Sequence, residues 1–434
     1  MRGGERDRLR VDDSARDRVT DSLSAQLLGA SAPVVTSAQL RSLTLVLVAS
    51  AAAAFLARIG PHLVLPTVVV EIVLGILIGP EVLGWATEGA YIQFLANFGL
   101  ALLFFFAGLE VVEKHVPREA IARGSLGWAI SLALGIGIGY LLQLAGLGAE
   151  GWLLGIAIST TALGTLVPIL SDSGILPTPL GTAVLGTGVA GEFWPITVMS
   201  VFLTGIYGAA AEIALLFVFG AVTIGTAFLA MRARPPRLVA IIRETLHSTG
   251  QAAVRLSIAL IAALVLLAHD VGFDFVLGAF AAGLIVGLVL DNPEGGVVRM
   301  RLEGIGFGLL IPIYFVATGL TFDLDSLLTA SGLALAALFL VLLLVVRGTP
   351  ALLWLRDLGP RGTASVAFFG ATQLPLVVAI VGIGADRGAI DADVGASLIG
   401  AAMVSVLVYP MVAGAISGAE DWAPDTVAST EAEY

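Results

Sequence analysis

The chain has 434 residues, 58% of them hydrophobic and only 13% charged, with a mean hydropathy of +0.98. A soluble domain carries about 25% charged residues, so this composition belongs in a lipid bilayer. The absence of cysteine excludes disulfides, thiolate metal sites and thiol catalysis. The formal net charge of -11 lies largely in the C-terminal tail and short loops, and gives no case for a nucleic-acid or cationic protein partner.

Residues 1–41 hold seven arginines, from Arg2 to Arg41, partly offset by six acids. They read as a disordered tail and not as a signal peptide, because no apolar core directly follows the basic stretch. Beyond them, apolar runs predict 13 membrane spans. Their limits are 42–59, 63–80, 91–112, 122–146, 151–170, 180–206, 210–231, 250–268, 271–290, 304–322, 329–355, 362–384 and 394–417. Residues 418–434 form a second, acidic tail. The expected fold is an all-α polytopic membrane protein.

Several spans carry polar residues that a bilayer makes costly. Span 2 holds Glu71 near its middle. Span 3 ends in Glu110, which reads as solvated at the span edge. Span 5 runs ISTTALGTLVPILSDSG, and its Gly164 and Pro168 predict a broken helix. Span 6 carries Glu192 alone in the otherwise uncharged stretch Leu180 to Ile206. That residue is about 18 Å from the start of the stretch at ~1.5 Å per residue, close to the middle of a ~30 Å hydrocarbon layer. An isolated carboxyl there marks an ion or proton path. Span 8 begins near Arg255, a candidate ion-pair partner for Glu71. Span 11 places Arg347 in a charge-free run, as either a fixed internal cation or a side chain snorkelling to the cytoplasmic edge. Span 12, VAFFGATQLPLVVAIVG, is broken at Gly370 and Pro375. Thr160, Thr161 and Gln373 place oxygens at the two breaks, suited to a hard monovalent cation or to hydrogen bonds between helices. The four histidines form no HExxH pair, which argues against a zinc membrane protease.

Twelve Lys and Arg, from Arg58 to Arg361, fall in one alternating set of loops, and the other set holds Arg387 alone. The first set is therefore cytoplasmic, with the C-terminus inside. Pieces of the chain also recur. GILIG in span 2 matches GLIVG in span 9, Gly108 in span 3 matches Gly319 in span 10, and the breaks of span 5 match those of span 12. A shift of seven spans is odd, so the second copy would be inverted, as in many transporters with midplane binding sites.

These motifs together resemble the bacterial monovalent cation:proton antiporters of the cation:proton antiporter-2 family, over roughly residues 42–417. Span 2 is similar to the family's pattern in VVVEIVLGILIGP, and span 3 in FFAGLE. Span 5 has the Ser159, Thr160, Thr161 stretch, and span 9 has LGAFAAGLIVG. The resemblance implies a transport core of spans 4–6 and 11–13, a scaffold of spans 1–3 and 8–10, span 7 as linker, and a homodimer. GxxxG at Gly75–Gly79 and Gly283–Gly287 would permit the close helix contact. It also implies that Glu192 binds either a proton or a cation, Na+ or Li+ with K+ as the alternative, and that Arg347 compensates charge. Glu71 is a secondary candidate. The family's carboxylate pair is replaced here by Gly191 and Glu192, which implies electroneutral exchange. Potassium-efflux members often carry a soluble nucleotide-binding domain after the last span, and with about 17 residues there this chain is expected to lack it. The expected setting is the bacterial inner membrane, with no enzymatic activity and no cofactor. An organic-anion/sodium symporter of similar fold is the competing class, disfavoured by a lone central glutamate that would repel an anion.

Overall fold

A computed structural model describes residues 36–57, 66–113, 116–202, 225, 251–271, 275–289 and 295–417. Among these residues the protein is helical apart from an isolated antiparallel bridge between Ala149 and Ile390. Span 7 lies outside the described residues except for residue 225, and so do residues 1–35 and 418–434.

The first half contains α1 (Ser37–Leu56), α2 (Thr67–Ile78), α3 (Ala90–Glu113), α4 (Arg118–Leu144), α5 (Gly151–Ala157), α6 (Leu163–Asp172) and α7 (Pro179–Phe202). The second contains α8 (Ala252–Val271), α9 (Phe275–Val289), α10 (Gly295–Ile305), α11 (Ile311–Leu320), the single turn α12 (Leu324–Leu327), α13 (Ala330–Gly348), α14 (Leu355–Gly370), α15 (Pro375–Asp386) and α16 (Ala392–Ser417). Among the described residues, seven helical stretches are long and apolar enough to cross a membrane.

Local chemistry moves several boundaries from their expected places. Thr36 and Gln39 form a reciprocal capping box, with each side chain accepting from the other's backbone N–H, at 3.2 and 3.1 Å. Helix α1 therefore starts at Ser37, inside the expected tail. Span 10 starts at Gly295 and contains a π-helical stretch, Gly306–Leu310. Pro312 follows it and has no N–H for the Gly308 carbonyl, so the helix widens there to continue. Near the start of α14, Gly359 turns with a φ of 65°, and Pro360 restarts the helix. The break in span 5 spans residues 158–162, ahead of Gly164. Pro168 does not make this break, since it lies inside α6. Gly370 and Pro375 do flank the break in span 12, as the last residue of α14 and the first of α15.

One bundle consists of α1–α3 and α8–α11, and another of α4–α7 and α13–α16. The first bundle is joined by glycines. A Cβ on Gly75 would lie 2.2 Å from the Val316 carbonyl oxygen, and one on Gly319 would lie 2.2 Å from that of Ile72. Likewise Gly108 would meet Phe280 O at 2.2 Å, and Gly283 would meet Phe105 O at 2.0 Å. Each contact is a backbone-to-backbone approach that any side chain would prevent. In a bilayer such contacts hold helices together by dispersion and packing, because lipid is as apolar as the side chains. Gly75 and Gly283 are thus used inside the protomer, and cannot serve as the dimer contact expected of them. The bundles meet where α3 packs on α6 and α7, and where α9 packs on α7.

Candidate functional site

The two interrupted spans cross at their breaks. There the Ala162 N–H donates to the Thr372 carbonyl at 2.9 Å, so the unwound backbone of one satisfies the other. Such exposed backbone is tolerated at membrane depth only when protein buries it or it lines a cavity. The Thr161 N–H donates to the Gly191 carbonyl of α7 at 3.0 Å. Pro195 makes that bond available. It stands four residues after Gly191 and has no N–H to complete the helical ladder.

The side chains tighten the crossing. The Thr160 hydroxyl lies 2.9 Å from Gln373 Oε1 and 3.0 Å from Ala157 O, and Gln373 Nε2 donates to Ile158 O at 3.2 Å. Ser405 of α16 clamps the Gln373 backbone from both sides: the Gln373 N–H donates to Ser405 Oγ at 3.1 Å, and the Ser405 hydroxyl lies 2.9 Å from Gln373 O. Thr160 and Gln373 therefore bond each other and the backbone, and neither bonds Glu192.

Arg347 is 1% exposed and lies inside the second bundle, so it does not snorkel. Its Nε donates to Thr161 Oγ1 at 2.9 Å and Gly370 O at 3.3 Å, its Nη1 to Ser131 Oγ at 3.2 Å, and its Nη2 to Thr187 O at 3.1 Å. The Thr161 hydroxyl donates to Gly370 O at 2.6 Å, and that of Ser131 to Val346 O at 2.9 Å. Gly370 ends α14, where the last carbonyls lack helical partners and the helix dipole is negative. A fixed guanidinium there meets both needs. Gly191 is part of the same packing. A Cβ on it would stand 2.6 Å from Thr161 Oγ1 and 2.7 Å from Arg347 Nη2.

Glu192 follows directly on α7. Its Oε2 is sealed from solvent and has no hydrogen-bond partner. The Glu110 carboxyl on α3 acts on it electrostatically. Glu110, expected as a solvated residue at the span edge, is half-buried. Its own Oε2 is buried and lies 3.9 Å from where a Cβ on Gly164 would stand, at the N-terminal end of α6. Glu71 is 3% exposed and is carried by α2, which packs on α1 and α11 in the other bundle from Arg347. It makes no ion pair with Arg255, which is exposed. Among the described residues, no group of three or more His, Cys, Asp or Glu is placed to hold a metal ion.

Five contributors escaped the sequence reading: Ser131, Thr187, Ser405, Glu110 and Pro195. Pro195 left a legible signal, a proline four residues after a glycine in a lone-carboxylate span. The others are ordinary helix residues whose role depends on which helices adjoin.

Two apolar bundles, one with a pair of crossed broken helices around a buried arginine and beside a half-buried glutamate, define a polytopic membrane protein of transporter architecture. Residues 45–417 match the family described as sodium/hydrogen exchanger, transmembrane, and the chain belongs to that family. It is 29% identical over 378 residues to the putative Na(+)/H(+) antiporter YjbQ of Bacillus subtilis (strain 168), covering 82% of this chain and 60% of that protein. It is 25% identical over 397 residues to cation/H(+) antiporter 18 of Arabidopsis thaliana, covering 85% of this chain and 47% of that protein. The chain thus spans about half to three-fifths of the length of these two relatives. In fold it is similar to the sodium proton antiporter MjNhaP1 from Methanocaldococcus jannaschii at pH 8, with a TM-score of 0.65 and 17% identity, over 87% of this chain and 98% of that one.

Proposed function

We propose that the protein exchanges a monovalent cation, Na+ or Li+, for H+ across the membrane, with Glu192 as the shared site. The observation that carries this reading is the Glu192 Oε2, sealed and without a partner in α7, one residue from the glycine packed against Arg347 and the helix crossing. A carboxyl kept without a partner in a bilayer interior is held ready for an ion or a proton. Because it accepts one or the other, each flux excludes its competitor and the two are coupled. The names of the relatives support the same chemistry, and the negative charge of Glu192 disfavours an organic-anion substrate.

In this reading the exchange is electroneutral, with neither an enzymatic step nor a resident cofactor. Arg347 stays protonated and serves as a fixed cation. The bundle of α4–α7 and α13–α16 is the moving core, and that of α1–α3 and α8–α11 the scaffold. An inverted duplication fits the glycine contacts, since a shift of seven spans exchanges the Gly75–Gly319 pair of spans 2 and 10 with the Gly283–Gly108 pair of spans 9 and 3. A homodimer, the bacterial inner membrane and a cytoplasmic C-terminus follow from the resemblance and the loop arginines.

The test is Glu192→Gln in proteoliposomes, with pH-sensitive dye reporting proton movement when NaCl, LiCl or KCl is added. The variant is expected to fold and to lose exchange. Exchange at the wild-type rate would refute the assignment and direct attention to Glu71. In the wild-type protein the apparent cation affinity should fall as pH falls, because protons occupy the same carboxyl.

A further inference from the structure

Building on that reading, we propose that Glu110 is the second carboxylate of the cation seat, supplied by the scaffold, so that the seat is complete only while α6 and α7 lie against α3.

Three observations converge. Glu110 is carried by α3, whereas Glu192 is carried by α7 of the other bundle, and the two carboxyls are electrostatic neighbours. Glu192 Oε2 is enclosed and without a hydrogen-bond donor, so an occupant there must be a cation or a proton. Glu110 Oε2 is enclosed too, and it lies against Gly164, in the first turn of α6. Gly164 is itself exposed, although Leu163 and Leu166 on either side are fully buried, which opens the backbone at this point between α6 and α3.

The chemistry of the seat follows from these positions. The free N–H groups of the first turn of α6 present positive charge, which favours a carboxylate at Gly164. Pro168 has no N–H to offer the Gly164 carbonyl four residues before it, so that oxygen lacks its helical donor. Two carboxylates make an oxygen-only seat, which suits a small hard cation. Two carboxylates brought together without a cation repel each other, so an ion between them draws scaffold and core together. As the core moves, Glu192 travels with α7 while Glu110 remains on α3. The seat then loses one charge, and the cation is released more easily on the other side. Glu110 thereby sets the affinity of one state, whereas Glu192 sets whether exchange occurs at all.

The experiment compares the wild-type protein with Glu110→Gln, Glu110→Asp and Glu192→Gln in proteoliposomes, with dye-reported proton flux against NaCl concentration. In Glu110→Gln the KM for Na+ is expected to rise about tenfold or more, with the maximal rate within about twofold, the pattern of lost binding to the cation. Glu110→Asp is expected to fall between the two. A second readout is melting in detergent with NaCl against choline chloride. Na+ should raise the wild-type melting temperature by mass action, and this increment should shrink in both Glu110 variants. A purely structural role would lower melting equally in the two salts and leave the increment intact.

Wild-type KM and a wild-type sodium increment in Glu110→Gln, alongside an inactive Glu192→Gln, would overturn the proposal and leave the proposed function standing. If Glu110→Gln does not fold, Glu110→Asp decides alone, and a wild-type KM there overturns the proposal. Activity in Glu192→Gln would instead overturn the reading of the site on which the proposal rests.

Discussion

Replacing Gly191 by alanine tests the packing of the site with a single methyl group. That methyl would stand 2.6 Å from Thr161 Oγ1, 2.8 Å from Thr161 Cβ and 2.7 Å from Arg347 Nη2. Thr161 cannot move away, because its N–H is tied to the Gly191 carbonyl and its hydroxyl to Gly370. Arg347 has the flexible end, but moving it breaks the bonds to Thr161 and Thr187. Overpacking of a tight interior costs about 1–3 kcal/mol. Two hydrogen bonds within a membrane add about 0.6 kcal/mol each, and at most about 1.7. The expected loss is therefore about 2–6 kcal/mol, together with slowed exchange. It should appear as a lower melting temperature in detergent and a lower proton flux in proteoliposomes. Gly137→Ala is the control, since a Cβ there meets nothing within 4 Å, and its effect should stay within about 0.5 kcal/mol. If Gly191→Ala melts and exchanges as the wild-type protein does, the guanidinium does not occupy the place described for it.

Gly75→Ala and Gly283→Ala should each lower the melting temperature, because their Cβ atoms would fall 2.2 and 2.0 Å from backbone oxygens of Val316 and Phe105. Gly304→Ala, with open space around it, should not, and equal melting of all three would refute the glycine contacts. Burial first, and then the negative charge of Asp386, raise the Glu88 carboxyl above its ordinary value of 4.5 in the loop before α3. An acid raised by folding supports the fold below its unfolded value and loses that support as pH rises through the folded one. Asp386→Asn should therefore lessen the fall in melting temperature from pH 4.5 upward, and an identical pH profile would contradict the Glu88–Asp386 coupling. Electroneutral exchange predicts that a membrane potential imposed with valinomycin and K+ leaves unchanged the sodium gradient at which net proton flux vanishes. A shift in that gradient would mean that a second charge moves.

The membrane class and the position of most helices were legible because a bilayer demands long apolar runs, and such runs are one-dimensional features. The same holds for Glu192 and Arg347, whose isolation is visible without a structure. Breaks were harder to place. Gly370 and Pro375 bracket one break, but the other lies at residues 158–162, where no glycine or proline stands. That backbone is held open from outside, by Thr372 and by the Gly191 carbonyl. Its cause lies in the neighbouring helices, so no local signal marks it. Glu110 was misjudged for a related reason. Proximity to a helix end in sequence does not tell whether a neighbouring helix covers the side chain, as α6 does at Gly164. The glycine pairs were read correctly as close contacts, but the sequence does not say whether the partner is the same chain or a second copy.

Gly191 and Pro195 bear on how the charges of the site are balanced. A buried guanidinium must find acceptors, and an aspartate beside it would be the direct means. Here Arg347 takes four neutral oxygens instead, two of them backbone carbonyls at Thr187 and Gly370. Its charge-assisted hydrogen bonds are about twice as strong as neutral ones, and two of them end at the breaks, on Thr161 Oγ1 and Gly370 O. Space for this arrangement exists because residue 191 has no side chain, and the adjoining backbone is reachable because residue 195 has no N–H. The arginine then holds α4, α7, α13 and the two broken spans as one unit. Glu192 is left as the ionisable group of α7 that this network does not consume, and a group that no structural bond consumes remains available to an ion.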